Sequence, residues 1–449
     1  MIISLKRIIK FFLFALPLLL MFGPYAILFK VPSIGFVDIQ RLSFYFLILV
    51  IIIYLIKFKR INVHMGASFK YVLVFIIMLL YSTISLLWAE NFSFSFSNGY
   101  MYLFSGVAIV VFITAGINSF KDLSILLRVF TVCYFITVIL GILEIFTGKY
   151  LFTQNPVSLI YQNGYNLYYP YGTFYNMNDF STFVVMAMPF AAFQIISDIK
   201  GKAGKIIAVV MSAAGVFTVF NANARICYFA IALYVLVFII ALATKKELRH
   251  YLKPVIHYTM IFALIFIVLL ITSVVKLNVL SSEMASISVK DHSADERATL
   301  YGAGLKMLGD YNFMGVGEGN SVPLVAKYTN LQPINLHSMP LRFLTEYGII
   351  IFALYLLMLV SAAIKLFKYN SGGTREKTLA CICFASLITF QLADFASSDA
   401  SHITELWVVM ALWLCIVKLL YKKEPNAEIN HVGAMKVSLP TKAQKKENT

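Results

Sequence analysis

Runs of about 17 to 25 apolar residues recur from one end of this chain to the other, each long enough to cross a hydrocarbon core of about 30 Å as a helix. Only helices and closed barrels satisfy their own backbone inside a bilayer, and unbroken apolar runs of this length choose the helix. Of the 449 residues, 60% are hydrophobic and 13% charged, with a mean hydropathy of +0.82, whereas an average soluble domain is about 25% charged. A soluble globule cannot hide that much apolar surface. The expected fold class is therefore all-α: one polytopic membrane domain over residues 1–421, followed by a basic tail, 422–449, expected to be disordered.

Hydropathy places about twelve spans, at roughly 11–29, 42–56, 71–88, 100–117, 123–147, 180–196, 206–220, 226–243, 256–280, 341–366, 378–396 and 403–421. Lys6, Arg7 and Lys10 ahead of the run from Phe11 imitate a signal peptide. No small-residue cleavage site comes before Gly23 and Pro24, so this run is read as the first membrane helix. An even count puts both termini on one side, and lysine and arginine beside a span resist translocation. Alternate loops are basic: Lys57, Lys59 and Arg60; Lys121 and Arg128; Lys200, Lys202 and Lys205; Lys245, Lys246 and Arg249; Lys365, Lys368, Arg375 and Lys377. Both termini are expected in the cytoplasm. These clusters and the tail carry the net charge of +16, which fits orientation in a membrane and not a nucleic-acid face.

Two outer loops are long: 148–179, and 281–340 between the ninth and tenth spans. Loops beyond about 15 residues are functional or disordered, and the density of Tyr, Phe, Leu and Met argues against disorder. The first loop holds seven tyrosines, among them Tyr150, Tyr171 and Tyr175, which offer flat faces and hydroxyls to sugars or form an interfacial aromatic belt. The five cysteines all fall in expected spans and read as small packing residues.

The interval Arg297–Ile350 concentrates charges, turn residues and one histidine. Arg225, in NANARICYFA, stands where charge bias disfavours a cation, so it either snorkels to headgroup phosphates or binds an anion. Arg297 follows Asp291, Asp295 and Glu296; it pairs locally with them or presents its planar fork of donors to a phosphate. His337, just before Pro340, has an ordinary pKa of about 6.5 and so is able to take a proton from a hydroxyl at neutral pH. The glycines of GVGEG, Gly315, Gly317 and Gly319, lack the preceding strand and following Lys-Ser of a phosphate loop. They read as a turn that admits a ligand or another helix, with Glu318 the second candidate base. Arg342 and Glu346 are four apart and able to pair. No metal-binding spacing and no Gly-Lys-Ser or Gly-Lys-Thr loop appears, so no metal or nucleotide cofactor is expected.

Three segments, GTFYNMNDF (172–180), NANARICYFA (221–230) and the stretch from ERATLYGAG through GVGEG to NLHSMPLRFLTEYG, together resemble the O-antigen ligase and polymerase superfamily of membrane glycosyltransferases. Ala224, Ile226 and Ser338 depart from the commoner residues beside that family's arginine and histidine. The resemblance implies a glycan donor carried on a polyprenyl diphosphate, usually undecaprenyl diphosphate, and attack by an acceptor hydroxyl at the outer face of a bacterial cytoplasmic membrane. Arg225 and Arg297 would then hold the diphosphate and His337 would deprotonate the acceptor. Tyr171, Asn176, Asn178, Glu318 and Arg342 are further candidates for substrate contact. A polymerase is expected, with a ligase of the same superfamily as alternative and a lipid-linked oligosaccharide transporter or flippase as second alternative. Expected partners are the donor, a glycan or lipid-glycan acceptor, the bilayer and other polysaccharide-assembly proteins.

Overall fold

A computed structural model describes residues 2–22, 60–152, 166–257, 292–395 and 402–422, with short pieces elsewhere. Its principal helices are α1 (Ile2–Phe22), α2 (Phe69–Ser85), α3 (Met101–Gly116), α4 (Phe120–Thr147), α5 (Met177–Asp198), α6 (Lys202–Asn221), α7 (Arg225–Thr244), α8 (His292–Asp310), α9 (Ser321–Tyr328), α10 (Met339–Lys368), α11 (Thr374–Ala393) and α12 (Thr404–Leu420). Among the described residues, eight helical stretches are long and apolar enough to cross a membrane. They fall where eight of the spans were expected. The first helix, Ile2–Phe22, begins and ends earlier than expected. The last, α12, has 17 residues and coincides with the final expected span. The spans at 42–56 and 256–280 lie largely outside the described residues.

Short strands also occur between the helices. Three short antiparallel pairings join Ile27–Val31 to Gly35–Asp38, Arg60–His64 to Ala434–Ser438, and Leu159–Ile160 to Asn166–Leu167. Between helices the backbone still has N–H and C=O groups to satisfy, and pairing with another segment does so. One of these strands, Ala434–Ser438, belongs to the tail.

The chain divides into two compact units: residues 1–79, 101–227 and 400–449, and residues 80–100 and 228–399. In the first, α12 is buried along its whole length and packs on α1, α3 and α5. Helices in lipid associate through close packing, and small residues permit it. Here Gly106 of α3 seats the Trp407 ring, which a Cβ at that position would strike at 2.1 Å. Helix α4 shows how the sequence sets helix ends. The Ser119 side chain accepts from Asp122 N–H at its start, and Gly148, in the left-handed region with φ 62°, closes it.

The second unit packs α10 against α8, α9 and α11. The expected outer loop 281–340 is largely helical over its described part. Leu300, Ala303 and Met307 line one stripe of α8 and bury against Val316, Leu324, Val325 and Leu336, so this interval carries its own small apolar core.

Candidate functional site

Helix α8 lies along the first turns of α10. Gly304 packs beside Leu336, Leu341 and Thr345, and Thr345 Oγ1 donates to the Gly304 carbonyl at 3.3 Å. At one end of this contact Arg297 and the segment just after the candidate His337 both bond to residues following α11. Arg297 Nη1 donates to the Phe395 carbonyl at 3.3 Å. One residue earlier, Asp394 Oδ2 accepts the Met339 N–H at 2.9 Å, which fixes the start of α10 two residues after His337. Ser338 caps that helix, its Oγ accepting the Leu341 N–H at 3.3 Å. His337 is half-buried and takes a left-handed backbone, φ 52°. Tyr301, one turn beyond Arg297, has its phenol pushed up mainly by burial; the Arg297 charge opposes this and Asp394 adds to it. Among the described residues Arg297 forms no ion pair with Asp295 or Glu296, and Asp291 lies outside the described residues.

The GVGEG turn meets a helix, as its glycines allow. Helix α10 is broken at Gly348, φ 73° and ψ 176°. The carbonyls of Thr345 and Glu346 are thereby turned to the glycine turn, accepting from Val316 N–H at 2.9 Å and Gly317 N–H at 3.0 Å, while Ile349 N–H donates to the Phe313 carbonyl at 3.0 Å. Backbones approach so closely that a Cβ on Gly315 would lie 2.5 Å from the Glu346 oxygen. Asn320 knits the turn further, accepting from Glu90 N–H at 3.0 Å and Ser95 Oγ at 2.9 Å.

Beneath the turn lies a buried charge network. Arg342 donates from Nη2 to Glu318 at 2.7 Å and from Nε to Glu346 at 2.8 Å. Tyr347 donates its hydroxyl to Glu318, and Ser321 Oγ donates to Glu346 at 2.6 Å. Arg342, Glu318 and Glu346 are at most 3% exposed. The Arg342–Glu346 pairing is the one the spacing suggested; the buried Glu318 side of it was not legible.

The remaining candidates belong to the first unit. Arg225 is exposed at the first position of α7, after a tight turn in which Asn223 has φ 56°. Two residues on, Cys227 Sγ lies 3.9 Å from Thr182 Oγ1 of α5, so the starts of α5 and α7 are neighbours. Asn176 caps α5, its side chain accepting the Asn178 N–H at 2.7 Å. Tyr171 is buried, with its N–H and that of Gly172 held by Glu144 Oε2 at 2.6 and 2.8 Å. Burial is also the main reason the Tyr150 phenol is pushed up to about 12, with the Glu144 charge adding to it. Asp394 and Glu144 are the anchors that the sequence reading passed over. Each is a lone carboxylate at the end of an apolar run, and that is the available signal.

Residues 207–356 match the family described as O-Antigen ligase. The chain is also 24% identical over 374 residues to the teichuronic acid biosynthesis protein TuaE of Bacillus subtilis (strain 168), covering 81% of this chain and 75% of that protein. These matches support a place in the O-antigen ligase and polymerase superfamily. With its apolar helices the chain is an integral membrane protein, and the family match supports a role in polysaccharide biosynthesis.

Proposed function

We propose that this protein transfers a glycan from a polyprenyl diphosphate carrier to an acceptor hydroxyl at the outer face of the cytoplasmic membrane, and that the acceptor is a second lipid-linked repeat unit, which makes it a polysaccharide polymerase. The supporting observation is that Arg297 and the segment just after His337, both inside the stretch matching O-Antigen ligase, are tied to adjacent residues, Arg297 to Phe395 and Met339 to Asp394. The name of the Bacillus relative, a teichuronic acid biosynthesis protein, accords with assembly of a surface polymer.

In this reading His337 takes the proton as the acceptor oxygen bonds to the anomeric carbon, and the bond from that carbon to the diphosphate oxygen breaks. Arg297 offsets charge growing on the departing diphosphate, a stabilisation that acts most in the transition state. Arg225 keeps the same assignment, toward an anionic group of the donor. Tyr171, Asn176 and Asn178 would serve the glycan mainly by shaping the tyrosine-rich segment. Both termini lie in the cytoplasm, which puts α8, α9 and the start of α10 outside.

Proteoliposomes containing a purified polyprenyl-diphosphate repeat unit test this directly. A ladder of longer lipid-linked glycans, lost with His337→Ala and with Arg297→Ala, is the expected result. Product formed only with a separate acceptor would make the protein a ligase, and lipid-linked donor crossing the bilayer unchanged would overturn the enzyme.

A further inference from the structure

The buried bridge Glu318–Arg342–Glu346 stands apart from the residues given roles in the reaction, and its placement has a consequence for them. The break at Gly348 separates the nine residues Met339–Tyr347 from the rest of α10. A helix interrupted by a glycine in this conformation has no hydrogen-bond ladder to fix the direction of its short part. That short part follows directly on His337. Three side-chain links join it to the neighbouring turn and to α9: Arg342 to Glu318, Tyr347 to Glu318, and Glu346 to Ser321 Oγ. The turn is in turn continuous with α8, which carries Arg297.

We propose that the Glu318–Arg342–Glu346 bridge is a positioning device, locking the short outer part of α10 to the turn after α8 so that His337 and Arg297 are held at fixed separation. Glu318 and Arg342 are then positioning residues and not ligands of the substrate. The chemistry favours this use: a guanidinium fork between two carboxylates from different segments fixes angle as well as distance. Burial makes the arrangement intolerant of a missing partner, because a lone charge left there has no solvent to answer it. This inference rests on the glycan-transfer reading for its kinetic arm only.

The test uses full-length protein in proteoliposomes. Arg342→Met alone strands two buried carboxylates and lowers the melting temperature or abolishes folding. The combined variant Glu318→Gln, Arg342→Met, Glu346→Gln removes every charge of the bridge and keeps acceptors for Tyr347 and Ser321, so it recovers the fold. Its kcat falls about 10- to 100-fold, the effect of an ångström-scale misplacement, with donor KM unchanged. A folded combined variant with the wild-type kcat overturns the proposal, showing that the bridge only stabilises. A second arm needs no activity: in Arg342→Lys, amide exchange at Val316, Gly317 and the 336–341 segment accelerates. Unchanged exchange there refutes the lock, whereas a wild type that makes no product refutes the glycan-transfer reading and leaves this arm standing.

Discussion

Replacing Gly348 with alanine isolates what the helix break contributes. The residue sits at φ 73° and ψ 176°, and an added Cβ would lie 2.3 Å from the Met314 oxygen and 2.5 Å from the Phe313 oxygen. Strain for a non-glycine residue in this region is about 1–3 kcal/mol. The backbone collision adds to that, since it is relieved only by separating the turn from α10. Separation gives up the three hydrogen bonds Val316–Thr345, Gly317–Glu346 and Ile349–Phe313, each contributing about 0.5–1.5 kcal/mol net. The expected loss is therefore about 3 kcal/mol or more. Thermal unfolding of the detergent-solubilised protein, followed by the fraction that stays monodisperse, reads it out. Gly302→Ala is the control: it lies within α8 with nothing inside 4 Å of an added Cβ, and alanine there should stabilise by about 0.5–1 kcal/mol. A Gly348→Ala protein that melts with the wild type while Gly302→Ala behaves as stated would refute the claim that the break is imposed by close backbone contact.

Glu144→Ala should free the Tyr171 and Gly172 amides and speed chymotrypsin cleavage within the 148–179 segment, whereas Glu144→Gln keeps an oxygen acceptor and should stay close to wild type; equal cleavage of both would assign the effect to charge. The Tyr328 phenol is pushed up to about 12 by burial and then by its 2.9 Å hydrogen bond to Asp310. A phenol held above its unfolded value contributes stability that is complete below about pH 10 and is lost between about pH 10 and 12. The tyrosinate difference spectrum of wild type minus Tyr328→Phe should therefore show a late-titrating tyrosine, moved to lower pH by Asp310→Asn. Arg297→Lys keeps the charge and loses the planar fork, so glycan product should fall by at least about tenfold with melting unchanged, since the side chain makes one long hydrogen bond to a neutral carbonyl. A matching fall in melting temperature would give Arg297 a structural role instead.

The apolar runs made most of the membrane helices legible, because one signal, a run of sufficient length, decides each of them. Span ends followed where a terminator was visible, as at Gly148, and slipped at α1, where the basic residues Lys6, Arg7 and Lys10 were left out of a helix that includes them. The fold of 292–338 was not read, since its stripe of Leu300, Ala303 and Met307 is too short to register against the surrounding hydrophobicity. Arg342 illustrates a different limit. Its pairing with Glu346 follows from helical spacing, but Glu318 reaches it across 24 residues through a turn whose path no local rule supplies. Lys418 is similar: an apolar helix should reject it, yet it is buried with its ammonium donating to the Thr114 carbonyl at 2.6 Å and Asn118 Oδ1 at 2.9 Å.

The contrast between Arg342 and Arg297 connects the fold to the proposed chemistry. A guanidinium already held by two carboxylates has little charge left for an anion and fixes its surroundings. One whose neighbour is a neutral carbonyl keeps both its charge and most of its donors. Sequence alone shows two arginines flanking the same turn, one before it and one after. Burial and partners divide them: the one at 3% exposure is held by two carboxylates, whereas the half-buried one keeps the donors that the proposed diphosphate role requires. A site that handles a doubly charged leaving group needs both kinds. In the proposed reaction the free donor would offset the charge that develops, and the spent one would prevent the site from relaxing toward that charge by moving, which is what would make the offset effective.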